Sequence, residues 1–159
     1  MQRSQGNTNP PLISCINPVK DRWRVRWDVT VSDGEAEWME QDFDHRPSSD
    51  EVRELIVTYI NEQTHRNIVE GFTYDGDPVY LSLENQQNIM TMLTIAKFSL
   101  GTIFPLTIKL GTDAEPIYKE FKTIISYSAF CFAMAEHIKH CLEEGYRRKR
   151  GIDLNSYQL

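Results

Sequence analysis

Residues 22–43 read RWRVRWDVTVSDGEAEWMEQDF. Trp23, Val25, Trp27, Val29 and Val31 alternate with Arg22, Arg24, Arg26, Asp28 and Thr30, the period of two that marks a strand with one apolar and one charged face. Asp33-Gly34 is a preferred pair for a two-residue type I′ turn, so the segment is predicted to fold back on itself. Ala36 and Trp38 continue the apolar face. Met39, Gln41 and Phe43 then occupy the opposite parity, which predicts a bulge near Trp38–Met39. Beyond it Glu40 and Asp42 return to the charged face, across from Arg24 and Arg26. Pairs of this kind contribute about 0.2–1 kcal/mol each and chiefly fix register. Trp23, Trp27 and Trp38 are expected on one face and Arg22, Arg24 and Arg26 on the other. The hairpin is first a structural element and second a candidate binding edge.

Upstream, residues 1–11 (MQRSQGNTNPP) have no periodicity and read as a flexible arm that orders on a partner. They contain no apolar stretch of the kind a secretory signal needs. Downstream, Ser48 and Glu51 form a capping box. The helix it opens carries Val52, Leu55, Ile56, Tyr59 and Ile60 on one stripe and ends before Gly71. Phe72–Tyr74, the Asp75-Gly76 turn and Pro78–Leu81 read as a short hairpin. A second helix begins at Ser82, carries Leu83, Ile89, Met90 and Leu93, and stops at Gly101. Residues 103–110 read as an edge strand, because of Pro105.

Thr112 or Asp113 then caps a predicted helix over residues 114–144, whose main stripe is Ile117, Phe121, Ile124, Ile125, Ser128, Cys131, Phe132, Ala135, Ile138 and Leu142. At about 1.5 Å per residue it is roughly 46 Å long, more than the diameter of a domain this size. Phe72 and Tyr74 are expected to pack on the helix of Ile89 and Leu93, with Phe121, Ile125 and Phe132 completing the core. Tyr118, Tyr127, Phe130 and Met134 fall outside the stripe. A helix apolar on more than one face needs more than one neighbour, so these four are the candidate interaction residues of a homo-oligomer joined along residues 117–142.

The division expected is a flexible arm at 1–11, a β-hairpin region at 12–46, an α+β domain at 47–152 and a tail at 153–159. A chain of 159 residues with 40% hydrophobic and 25% charged residues is neither disordered nor collagenous. Lys and Arg number 17 against 23 Asp and Glu, a net charge of −6, which excludes a generally basic nucleic-acid binder. Arg147-Arg148-Lys149-Arg150 is the one basic run. It complements the dipole at a helix C-terminus, and it is the candidate phosphate contact of an alternative, nucleic-acid-binding reading.

Cys15, Cys131 and Cys141 are too few for a disulfide framework. The last two lie about 15 Å apart on a straight helix, too far for a bridge. His137, His140 and Cys141 sit at helical spacing but lack a fourth ligand, and surface histidines beside a buried thiol are the simpler reading. Asp75-Gly76-Asp77 lacks the further acidic positions of a calcium loop. No nucleophile elbow, zinc-binding helix motif or glycine-rich phosphate loop occurs. The chain is read as a non-enzyme with no cofactor and no metal, and as too short in apolar runs to span a membrane.

Gly71-Phe72-Thr73-Tyr74-Asp75-Gly76, followed by Leu81-Ser82-Leu83-Glu84-Asn85-Gln86-Gln87-Asn88-Ile89, resembles a domain of unknown function found in tail-fibre-related proteins of tailed bacteriophages. The likeness runs over residues 68–152. It includes a short strand ending at Leu110 and a long helix closing on Tyr146-Arg147-Arg148-Lys149-Arg150-Gly151-Ile152. It departs from the family in lacking a tryptophan in the strand before the long helix. The resemblance implies a structural or adaptor protein of a phage virion, acting in tail, baseplate or fibre assembly. Its partners would be itself and other tail or fibre proteins, with a trimer by analogy with fibres, and it would be made in the bacterial host cytoplasm. An assembly chaperone that leaves before maturation is the alternative within the same family.

Overall fold

The fold is α+β in a computed structural model that describes residues 1–7, 10–112 and 114–158. The chain forms two compact units, Met1–Tyr59 with Lys149–Leu159, and Ile60–Arg148. The division therefore falls inside the first helix and not before it as the sequence suggested.

In the first unit β1 (Gln2–Asn7), β2 (Ile13–Asn17), β3 (Arg22–Ser32) and β4 (Glu35–Phe43) form one antiparallel sheet in the order β1-β4-β3-β2. The segment expected as a flexible arm is thus largely a strand. Gln2 to Asn7 pair with Glu40 to Glu35, because β4 would otherwise leave an open edge. Thr8 and Asn9 lie outside the described residues. Asp33 and Gly34 both have positive φ, as a type I′ turn requires.

The bulge lies on the other strand from the one expected. Trp27 pairs with Met39 and Thr30 with Glu37, so Asp28 and Val29 together oppose Trp38. Asp28 takes a left-handed φ of 54°, a conformation that aspartate tolerates, and its carboxylate accepts the Tyr59 hydroxyl at 2.6 Å. Strand β4 consequently alternates without interruption, and Trp38 shares a face with Glu40 and Asp42, not with Trp27.

The apolar face carries Ile13, Val25 and Trp27, all buried. Against it runs the first half of α1 (Ser49–Glu70), whose Val52, Leu55, Ile56 and Tyr59 are buried and whose Tyr59 ring meets Trp27 edge-on at 5.8 Å. The capping box forms as expected, with Glu51 accepting from the Ser48 amide at 2.8 Å. The expected C-terminal tail also packs. A short 3₁₀ turn at Leu154–Tyr157, capped by Asp153, directs the Tyr157 hydroxyl onto the Arg26 carbonyl at 3.0 Å. Leu159 lies outside the described residues.

The second unit contains the hairpin β5 (Phe72–Tyr74) and β6 (Asp77–Val79), then α2 (Leu83–Phe98) capped by Ser82, and the hairpin β7 (Leu106–Lys109) and β8 (Tyr118–Phe121). The helix α3 runs over Ile124–Arg150. Residues 114–122, predicted helical, instead supply β8. Ile117, Lys119 and Phe121 alternate inward, and the Thr112 hydroxyl accepts from the Glu115 amide in a local turn that does not continue as a helix. Asp113 lies outside the described residues. The helix begins at Thr123, whose hydroxyl accepts from the Ser126 amide at 3.2 Å.

This later start rotates the helix relative to expectation. Carrying the phase of Phe121 forward placed Ile125 and Phe132 in the core, but Phe121 belongs to a strand. The buried positions are Tyr127, Phe130, Cys131, Met134, Cys141 and Gly145. Of these, Tyr127, Phe130, Cys131 and Met134 pack with Phe72, Val79, Leu81, Ile89, Leu93, Leu110 and Phe121, so the expected contribution of Phe72 and the second helix holds. At Gly145 a Cβ would stand 2.5 Å from Thr64 Oγ1, which is why the smallest residue occupies that turn of α3.

Candidate functional site

Three of the four residues expected at an interface are inside the second unit. Tyr127 and Phe130 have no exposed surface and Met134 almost none. The Tyr127 hydroxyl donates to the Ile89 carbonyl at 2.8 Å, and its ring lies 5.1 Å from Phe121 and 6.0 Å from Phe130. Burial, then the neighbouring Cys131, pushes the Tyr127 phenol far above its usual range. Burial likewise raises the Cys131 thiol to about 11, which removes it as a nucleophile at neutral pH. Only Tyr118 is exposed, on β8.

The opposite face of α3 carries the exposed apolar groups. Ile125 is 79% exposed and Phe132 is 67% exposed. The end of α2 adds Phe98 at 87% and Leu100 at 91%. The end of α2 and the first turns of α3 approach each other. A Cβ on Gly101 would lie 3.9 Å from the Ile124 side chain, and the Lys97 ammonium is near enough to act on the Cys131 thiol. These four exposed apolar side chains, on two elements that approach each other, are the candidate site. Phe98 and Leu100 were legible as apolar residues crowded against the helix-ending Gly101. Ile125 and Phe132 were missed because they had been assigned to the core.

The basic run does not present four open cations. Arg147 is gripped by Glu144 through two hydrogen bonds of 2.8 and 2.6 Å, Arg148 and Lys149 are half-buried, and Arg147 and Arg150 are exposed. The Glu144 carboxyl sits below its ordinary range because of that pairing.

The charged face of the sheet, in the first unit, gathers a network that the sequence only partly foreshadowed. Glu40 is 4% exposed. Its Oε1 accepts from Gln2 Nε2 and Ser4 Oγ, each at 2.9 Å, and its Oε2 accepts from Trp38 Nε1 at 2.8 Å. Arg24 Nη1 is 3.3 Å and Arg26 Nε 3.4 Å from the carboxylate, the latter at ion-pair distance without hydrogen-bond alignment. Arg24 also makes a two-pronged contact with Asp42 at 2.6 and 3.0 Å. Desolvation pushes the Glu40 carboxyl up, but Trp38, Gln2, Ser4 and the charge of Arg24 together outweigh it and hold the group below its ordinary range. The Trp38 ring lies across Gly6, where a Cβ would come within 2.9 Å of Cη2. Every oxygen of Glu40 is engaged, so the network orders three strands and offers no free acid or base.

The residues weighed as metal ligands do not converge. His137 Nε2 is 3.0 Å from the Asn67 carbonyl, which can only accept, so that nitrogen carries the proton. Cys141 Sγ is 3.7 Å from the same nitrogen, and His140 is exposed. Asp75 and Asp77 pair with Lys119 at 2.9 and 3.5 Å. Among the described residues no group of three or more His, Cys, Asp or Glu is placed to hold a metal ion, and no helix is long and apolar enough to cross a membrane.

Comparison with known proteins adds no relative: no family model, no curated protein and no solved structure matches the chain.

Proposed function

We propose that the chain is a non-enzymatic adaptor of a tailed-phage particle that works through protein–protein contacts, with copies of itself and with a tail, baseplate or fibre protein. The observation that carries the contact reading is the exposure of Ile125 and Phe132 on α3 and of Phe98 and Leu100 at the end of α2, elements that approach each other at Gly101 and Ile124. Large apolar groups exposed in this way are stabilised when a partner removes them from water, by about 25 cal/mol for each Å² of apolar surface covered. The surface replaces Tyr127, Phe130 and Met134 as the contact region. The phage setting rests on the resemblance carried by residues 68–152.

Mass spectrometry of purified phage particles, with copy number, tests the setting. The chain is expected in particles at a fixed stoichiometry to a tail protein. Its presence in infected-cell lysate together with its absence from particles would instead assign it to assembly, as a chaperone.

A further inference from the structure

The connection between β4 and α1 holds a cluster of titratable side chains that neither the contact surface nor the Glu40 network uses. His45 lies between two carboxylates. Its Nδ1 is 3.0 Å from Asp44 Oδ1, and its Nε2 is 2.8 Å from Glu51 Oε1. Glu51 is the acidic member of the capping box, and its other oxygen accepts from the Ser48 amide and hydroxyl, each at 2.8 Å. The Phe43 ring stands edge-on to the imidazole, with 6.0 Å between centroids. One side chain therefore joins the end of β4 to the first turn of α1, within the first unit.

Both oxygens that face the ring belong to carboxylates ionised at neutral pH. Hydrogen bonds from Ser48, then from His45, hold the Glu51 carboxyl down at about 2. His45 in the same way holds the Asp44 carboxyl below its ordinary range. An ionised carboxylate only accepts, so each contact needs a proton on the ring nitrogen. Neutral imidazole carries one N–H and satisfies one contact, whereas imidazolium carries two and satisfies both. The cations nearby are occupied elsewhere. Arg22 on β3 acts on Asp44 from a distance and lies 3.6 Å from Asp42, and the Arg46 guanidinium lies over the Trp23 ring at 5.3 Å.

We propose that His45 is a proton-operated clamp that, as the imidazolium, ties Asp44 to Glu51 and fixes the way α1 leaves the sheet. Loss of one proton breaks one of the two bonds and removes the positive charge that strengthens the other. The sign follows from the direction of the shift. Asp44, then Glu51, raise the imidazole above its ordinary 6.5. The clamp is therefore fully closed below about pH 6.5 and opens as the pH rises through the raised value. Glu40 works in the opposite sense and in a more acid range, so the two effects separate on one titration. The clamp is independent of the phage setting and of self-association.

The test follows the ring protons of His45 by nuclear magnetic resonance as the pH is raised, with His45→Gln identifying the signal. The His45 midpoint is expected above 6.5, and both Asp44→Asn and Glu51→Gln are expected to lower it. Asp44→Asn changes an exposed side chain, so the test stands if Glu51→Gln, which also alters the cap, does not fold. Urea unfolding supplies the second readout. The parent's midpoint is expected to exceed that of His45→Gln at low pH, and the excess is expected to decline as the pH passes through the His45 midpoint. A His45 midpoint at or below 6.5 overturns the proposal. So does a midpoint that either folded variant leaves in place, or a difference from His45→Gln that does not change with pH.

Discussion

Phe130→Ala is expected to destabilise the protein by about 3–5 kcal/mol, and Phe132→Ala by less than about 0.5 kcal/mol, in urea denaturation followed by far-ultraviolet circular dichroism. The two residues lie two positions apart on α3 and differ in environment. Phe130 has no exposed surface and its ring lies 5.0 Å from Tyr74, 5.2 Å from Phe121 and 6.3 Å from Phe72, so truncation leaves a hole among rings that cannot all collapse into it. Phe132 is mostly in water. Equal losses for the two variants, or a larger loss for Phe132→Ala, would place the helix in the other phase and return Ile125 to the core.

The second large effect is expected at Glu40. Glu40→Ala leaves Arg24 and Arg26 without their shared carboxylate and strips acceptors from Gln2, Ser4 and Trp38. Breaking a buried pair from one side costs about 3–5 kcal/mol, whereas Glu40→Gln, which keeps an acceptor oxygen, is expected to lose about 1–3 kcal/mol. The pH dependence has a fixed sign. The folded-state pKa of Glu40 is lowered from 4.5, so its stabilisation is present above about pH 4.5 and is lost as the pH falls through the lowered value. Acid titration of stability should therefore flatten over that range in Glu40→Gln. A Glu40→Ala variant as stable as the parent at pH 7 would show that the network is ornamental to the sheet.

Local signals were legible in the chain. The Asp33-Gly34 and Asp75-Gly76 turns, the Ser48–Glu51 box and the Ser82 cap each depend on a few adjacent residues, and each is where its residue types place it. What escaped depended on residues far apart. Residues 2–7 carry no apolar alternation, because β1 presents Gln2, Ser4 and Gly6 to Glu40 and Trp38, and such a strand is recognisable only once its partner is known. The bulge was displaced to Asp28 because the hydroxyl that stabilises it comes from Tyr59, thirty-one residues on. The phase of α3 failed because Ile117 and Phe121 match a helical stripe and a strand alternation equally well over so short a run. The same error hid the exposed surface, since Ile125 and Phe132 could not be both core and contact.

Light scattering behind size exclusion, on the parent and on the Ile125→Ser, Phe132→Ser double variant, tests whether that surface is a contact between copies. The parent is expected at a multiple of 18.5 kDa, and the double variant as a monomer with unchanged circular dichroism. A parent that remains an 18.5 kDa monomer at high concentration, or a double variant that retains the parent's assembly, would contradict self-association through α2 and α3.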